Sequence, residues 1–174
     1  MSKKLLALVV ALLLTPRSVS AGKIAEIFSS EIFGVKWESN EQEVSAVFPD
    51  GKSETTFGIQ TYTIHDGRTL FGVKRNPANY IQFVFNAVGQ MHGVNIEFPN
   101  GAEGYSTLLN KLNTYFGPHT FHPDNKSATV VEWPQDDGVK ISLVYVPRMF
   151  GAEIVFSIAN VKTESSVTKE KLGF

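Results

Sequence analysis

The sequence predicts an α+β fold: a single antiparallel sheet of about seven strands with two helices on one face. Three observations carry that expectation. Several segments alternate apolar and polar residues with period 2. Two segments repeat apolar residues at helical spacing. The order is helix, about four strands, helix, about three strands, so each half is a helix followed by a meander. That order raises an αβ-meander duplication, although the halves share pattern and little identity.

The first helix is read in KWESNEQEVSAVFPDG. Ser39 is placed to cap it, with Gln42 at capping-box spacing. Glu41 and Glu43 fall where the helix dipole favours negative charge. Val44, Val47 and Phe48 form its apolar face, and Pro49 and Gly51 end it. Next, GIQTYTI and TLFGVK flank Asp66-Gly67, a hairpin-turn dipeptide. The basic loop Lys74-Arg75-Asn76 follows and is expected to be solvated. In NYIQFVF and QMHGVNIEF, Ile81, Phe83, Phe85, Val94, Ile96 and Phe98 take one face, as expected for a sheet covered on one side. The second helix carries Tyr105, Leu108, Leu109, Leu112, Tyr115 and Phe116 as one stripe, stopped by Gly117 and Pro118. ATVVEW, GVKISLVYV and AEIVFSI complete the strands. Trp37 and Trp133 are expected to pack in the core rather than stack on a sugar.

The N-terminus has the layout of a signal peptide. Lys3 and Lys4 precede the apolar run Leu5–Leu14, and Val19-Ser20-Ala21 provides a cleavage site. The run is shorter than the roughly 18 apolar residues of a membrane span. The expected organisation is 1–21 signal peptide, 22–160 one domain and 161–174 a flexible polar tail. Cleavage removes Lys3, Lys4 and Arg17 from 16 basic residues, leaving 13 against 17 acidic ones and a net charge of −4. That balance argues against nucleic-acid binding by bulk charge. No cysteine is present, so an exported chain folds without disulfides and carries no lipidation site. The expectation is a soluble periplasmic or secreted protein with no stable membrane anchor.

One set of motifs resembles known proteins. Phe33-Gly34-Val35, Trp37, Ser39, Glu43 and Val44 open a short helix. Phe83, Phe85, Gly89 and Met91 mark a strand pair, Phe116-Gly117-Pro118 a helix end, and Trp133 a strand. This arrangement resembles the beta-lactamase inhibitor protein-like architecture, whose helix-and-sheet repeat is shared by small lipoproteins of outer-membrane assembly. The resemblance implies a protein that binds other proteins through an open sheet face and has no active site. The chain departs from it in lacking the lipid-anchoring cysteine and the cysteine pairs. No target or functional residue is carried over.

Chemistry-bearing motifs are sparse. His119, His122 and Asp124 in GPHTFHPD are the best metal candidates, since imidazole and carboxylate suit zinc. The competing reading is a plain helix-to-strand connection stiffened by Pro118 and Pro123. Asp136-Asp137 reads as turn chemistry. There is no Gly-x-Ser-x-Gly elbow and no phosphate-binding glycine loop. No cofactor is implied. If Ile81, Phe83 and Phe85 face the helices, then Tyr80, Val84, Val144 and Val146 face away with Gln82 and Val155. With Arg148, Met149 and Phe150 at a hairpin tip, they form a candidate partner-binding surface. The function expected is a non-enzymatic protein-binding module acting as inhibitor, adaptor or envelope-assembly factor. The alternatives are a small metal-assisted hydrolase using His119 and His122, and a module binding a glycan or lipid between helices and sheet.

Overall fold

The computed structural model describes residues 23–121, 128–149 and 151–164. Residues 1–22 (which include the expected signal peptide), His122, Asp124, Phe150 and most of the expected polar tail lie outside the described residues. The described residues begin with helix α1 (Lys23–Phe28) and a small hairpin of β1 (Glu31–Ile32) and β2 (Val35–Lys36). Helix α2 (Glu41–Val47) leads into β3 (Lys52–Thr56), β4 (Ile59–His65), β5 (Tyr80–Phe85) and β6 (Met91–Phe98). Helix α3 (Ala102–Phe116) leads into β7 (Thr120–Phe121), β8 (Thr129–Glu132), β9 (Val139–Arg148) and β10 (Gly151–Asn160). A short helix, α4 (Val161–Glu164), follows, with Thr163 buried.

The fold is α+β, built on one antiparallel sheet in the order β3-β4-β5-β6-β10-β9-β8-β7. Seven of its strands exceed two residues; β7 is the eighth. Two helices were expected, and four are present among the described residues. Each run of four strands is a meander, and the two runs meet at the centre where β6 pairs with β10.

The apolar residues of alternate positions line up across that seam. Ile81 faces Ile96, Ile96 faces Phe156, and Phe156 faces Leu143. All four are buried. Period-2 patterning thus puts these large apolar residues on one face. Phe48, at the end of α2, lies 5.5 Å from Phe83, and Phe28 of α1 lies 6.4 Å from Phe156. Leu108 and Leu112 of α3 are fully buried in the same core. Trp133 is buried and donates to Gly117 O, tying the end of α3 to the sheet, while Trp37 donates to Phe28 O.

Two local expectations shift by a residue or fail. Asn40, not Ser39, caps α2: its Oδ1 accepts from Glu43 N at 3.0 Å, and Glu43 Oε2 accepts from Asn40 N at 2.8 Å. An amide reaches the third amide of the helix as well as a serine does, and Glu43 rather than Gln42 closes the box. Asp66-Gly67 does not turn a hairpin. β4 pairs with β3 on one side and β5 on the other, and 66–79 is a long connection. In it Asp66 accepts from Arg68 N at 2.6 Å and Arg68 Nε at 2.5 Å, a local Asx arrangement.

Three tight turns are made by Phe-Gly instead. Phe33-Gly34, Phe57-Gly58 and Phe71-Gly72 all have both residues at positive φ (55° and 81°, 51° and 80°, 50° and 67°). They close the pairs Ile32–Val35, Thr56–Ile59 and Leu70–Val73. This is the geometry that Asn-Gly adopts readily. A phenylalanine held there costs roughly 1–2 kcal/mol.

The expected solvated loop is also corrected. Arg75 is 1% exposed. Its Nε donates to Glu97 O at 2.8 Å and its Nη2 to Tyr80 O at 2.7 Å, closing the end of the β5–β6 ladder. Its guanidinium lies 5.8 Å from the Phe98 ring, and Nη1 is 3.9 Å from Asp66 Oδ1. An arginine placed against two terminal carbonyls is worth burying because it supplies donors that the ladder lacks.

Candidate functional site

The face of the sheet opposite the core carries the side chains of the remaining strand positions, and on the central strands β5, β6, β9 and β10 most of these are half-buried. They form two rows. Thr63, Gln82, Asn95, Ser157, Ser142 and Glu132 stand opposite one another across six strands. Their side chains bond in series: Gln82 Nε2 to Thr63 Oγ1 at 3.4 Å, Asn95 Nδ2 to Gln82 Oε1 at 3.2 Å, and Ser157 Oγ to Asn95 Oδ1 at 2.8 Å. Beside this polar row runs an apolar one. Val155 faces Val144 and Val144 faces Val130, with Val146 one step further along β9.

A polar group borders the valines. The Tyr80 hydroxyl donates to Glu153 Oε1 at 3.3 Å, and Arg148 pairs with the other oxygen of Glu153. Burial, with the Glu153 and Glu97 carboxylates close by, raises the Tyr80 phenol well above its ordinary value. Tyr80 therefore stays a neutral hydrogen-bond donor. Met149 projects from the β9–β10 end and is 91% exposed.

Tyr80, Val144, Val146 and Arg148 are thus brought to one neighbourhood around Glu153. Val84 is not part of it: it faces Gly93, which faces Ala159, on the far side of the polar row. Val130 and Glu153 also belong to the patch. Sequence parity points to their face but not to their neighbours, because neighbours depend on register.

The histidine loop is only partly described. His119 Nδ1 is 2.9 Å from Asn113 Oδ1, and its ring meets Trp133 edge-on at 5.9 Å. Its partners His122 and Asp124 lie outside the described residues. Among the described residues, no three His, Cys, Asp or Glu side chains gather closely enough to hold a metal ion. No helix among them is long and apolar enough to cross a membrane.

On the core side there is a cavity of about 240 Å³. Phe28, Ile32, Phe33, Leu70, Phe71 and Ile96 line most of it, with Glu31 at its edge. Two of the strained Phe-Gly turns therefore supply its walls. In the comparisons with known proteins, no family model matches the chain, and no curated protein and no solved structure matches it.

Proposed function

We propose that the chain is an exported, non-enzymatic protein-binding module that engages its partner through the open sheet face. The observation that carries this reading is the valine row Val130–Val144–Val155, flanked by Val146 and bordered by Tyr80, Arg148 and Met149. An apolar centre with tyrosine and arginine at its border is the composition of a protein interface. Export is supported by the signal-peptide layout of residues 1–21. The resemblance to inhibitor-like and envelope-assembly proteins is supported by the helix-plus-four-strand order, which occurs twice. The same order supports duplication, with α2 and α3 on the apolar face. A two-fold axis at the β6–β10 seam would exchange the halves.

The test is recovery of a partner from the native envelope fraction. Val144→Glu should reduce recovery about tenfold or more, as for disruption of a central interface residue, and Arg148→Ala, at the border, should reduce it less. Melting temperature should be unchanged. Undiminished recovery with both variants would refute the reading.

The cavity favours a second reading, a module for a small apolar ligand. Its volume lies just below the range of ligand pockets, about 300–1,000 Å³. A fatty acid titrated into the protein should then raise melting temperature in the wild type and not in a Leu70→Trp variant that fills the space.

A further inference from the structure

β3 is one of the two edge strands of the sheet. All five of its residues are exposed, and among the described residues no strand pairs with its other side. It leads into the turn residue Phe57, which is fully exposed, with Ile59 just beyond the turn 53% exposed; Val47, before the other end of the strand, is 46% exposed. A free edge beside exposed apolar residues invites another strand.

We infer that this edge pairs with β3 of a second copy of the chain, antiparallel and centred on Ser53. Hydrogen-bond phase supports that centre. Phe57-Gly58 is a two-residue loop, so Thr56–Ile59 is a hydrogen-bonded pair and the bonds alternate from there. Thr56, Glu54 and Lys52 bond to β4, and Ser53 and Thr55 turn their N–H and C=O groups outward. A two-fold axis at Ser53 lets each Ser53 exchange both bonds with its twin. Each Thr55 N–H then meets the other copy's Gly51 O.

Charge selects the same register. Centring on Lys52 or on Glu54 sets like charges directly opposite, which is unfavourable. Centring on Ser53 sets Lys52 of each copy opposite Glu54 of the other. Both belong to the face of Thr63 and Thr61, and their pair is of the closer, non-hydrogen-bonded kind. The surface is self-complementary, as a two-fold interface requires.

The register also carries Phe57 past Gly51 of the other copy. There lies a cleft of about 450 Å³ lined in part by Val47, Phe48, Pro49 and Ile64. Phe57 seated in it would lose the exposed surface that its strained turn presents.

Sedimentation of the full chain across a wide concentration range tests this. The wild type should pass reversibly from one chain to two. Lys52→Glu should weaken the dimer about tenfold or more, because both cross-strand pairs become repulsive. The swap Lys52→Glu with Glu54→Lys should restore it. Phe57→Asn, a better turn residue, should weaken the dimer without lowering the melting temperature of the monomer. A wild type that stays a monomer, a Lys52→Glu variant that dimerises normally, or a swap that fails to restore pairing would each overturn the inference. Val144→Glu should leave dimerisation intact, so this inference and the open-face reading fail separately.

Discussion

The Phe71-Gly72 and Phe57-Gly58 turns have nearly the same backbone and opposite surroundings. Phe71 lies 5.1 Å from Phe156 and within 6.3 Å of Phe98, Tyr115 and Phe116. It joins α3 to the sheet, and the strain of a left-handed phenylalanine is offset by ring contacts and buried area. Phe57 accepts the same strain, is fully exposed, and touches no ring among the described residues. Backbone strain that local packing does not offset points to a use outside the fold. The difference separates a turn that builds the core from one that presents a side chain.

Three measurements break or sharpen that contrast. The largest effect is expected at Phe71. Phe71→Asn keeps the turn and removes the ring, and should cost about 2–3 kcal/mol, seen as a lower urea midpoint. A loss as small as that of a surface change would show that the loop does not hold α3 to the sheet.

Asp66, at the base of the same loop, is next. Burial disfavours its charge, but the bonds and charge of Arg68, with Arg75 beyond, hold its carboxyl below the usual range. The folded value lies below the unfolded one, so the stabilisation is present above the unfolded pKa of about 3.9 and is lost as pH falls through the folded value. The wild type should exceed Asp66→Asn by about 1 kcal/mol or less near neutral pH. The gap should close in acid. A gap independent of pH would assign the effect to shape rather than charge.

The smallest effect is at Phe57. Phe57→Asn should raise the unfolding free energy of the monomer by about 0.5–1 kcal/mol, since asparagine suits the left-handed region. A destabilised variant would mean that Phe57 packs within its own chain.

Much of the sheet was legible in the sequence because β5, β10 and most of β6 and β9 have one buried face and alternate along it. The stripe of α3 and its stop at Gly117 were legible for the same reason, one buried side read at one period. β3 was not, because KSETT has no buried face and so no pattern. Phe-Gly hid the turns, since phenylalanine is a poor choice for positive φ and Asp66-Gly67 is a better one on paper. Arg75 looked solvated because burial of a cation depends on two carbonyls that come together only when β5 and β6 pair. Of the candidate site, parity placed Tyr80, Val84, Val144 and Val146 on the open face. It could not separate Val84 from the others, because that needs the alignment of strands distant in sequence.

The polar row bears on how the two halves find each other. It crosses the central seam as Ser157 Oγ to Asn95 Oδ1, joining residues 62 positions apart. A slip of one residue at that joint would turn Asn95 or Ser157 toward Ile96 and Phe156, where an unpaired amide or hydroxyl costs on the order of 1–3 kcal/mol. The row therefore acts as an alignment key. Two meanders that each close through neighbouring segments can be docked in several ways by hydrophobicity alone, and the key admits the one in which the amide and hydroxyl meet.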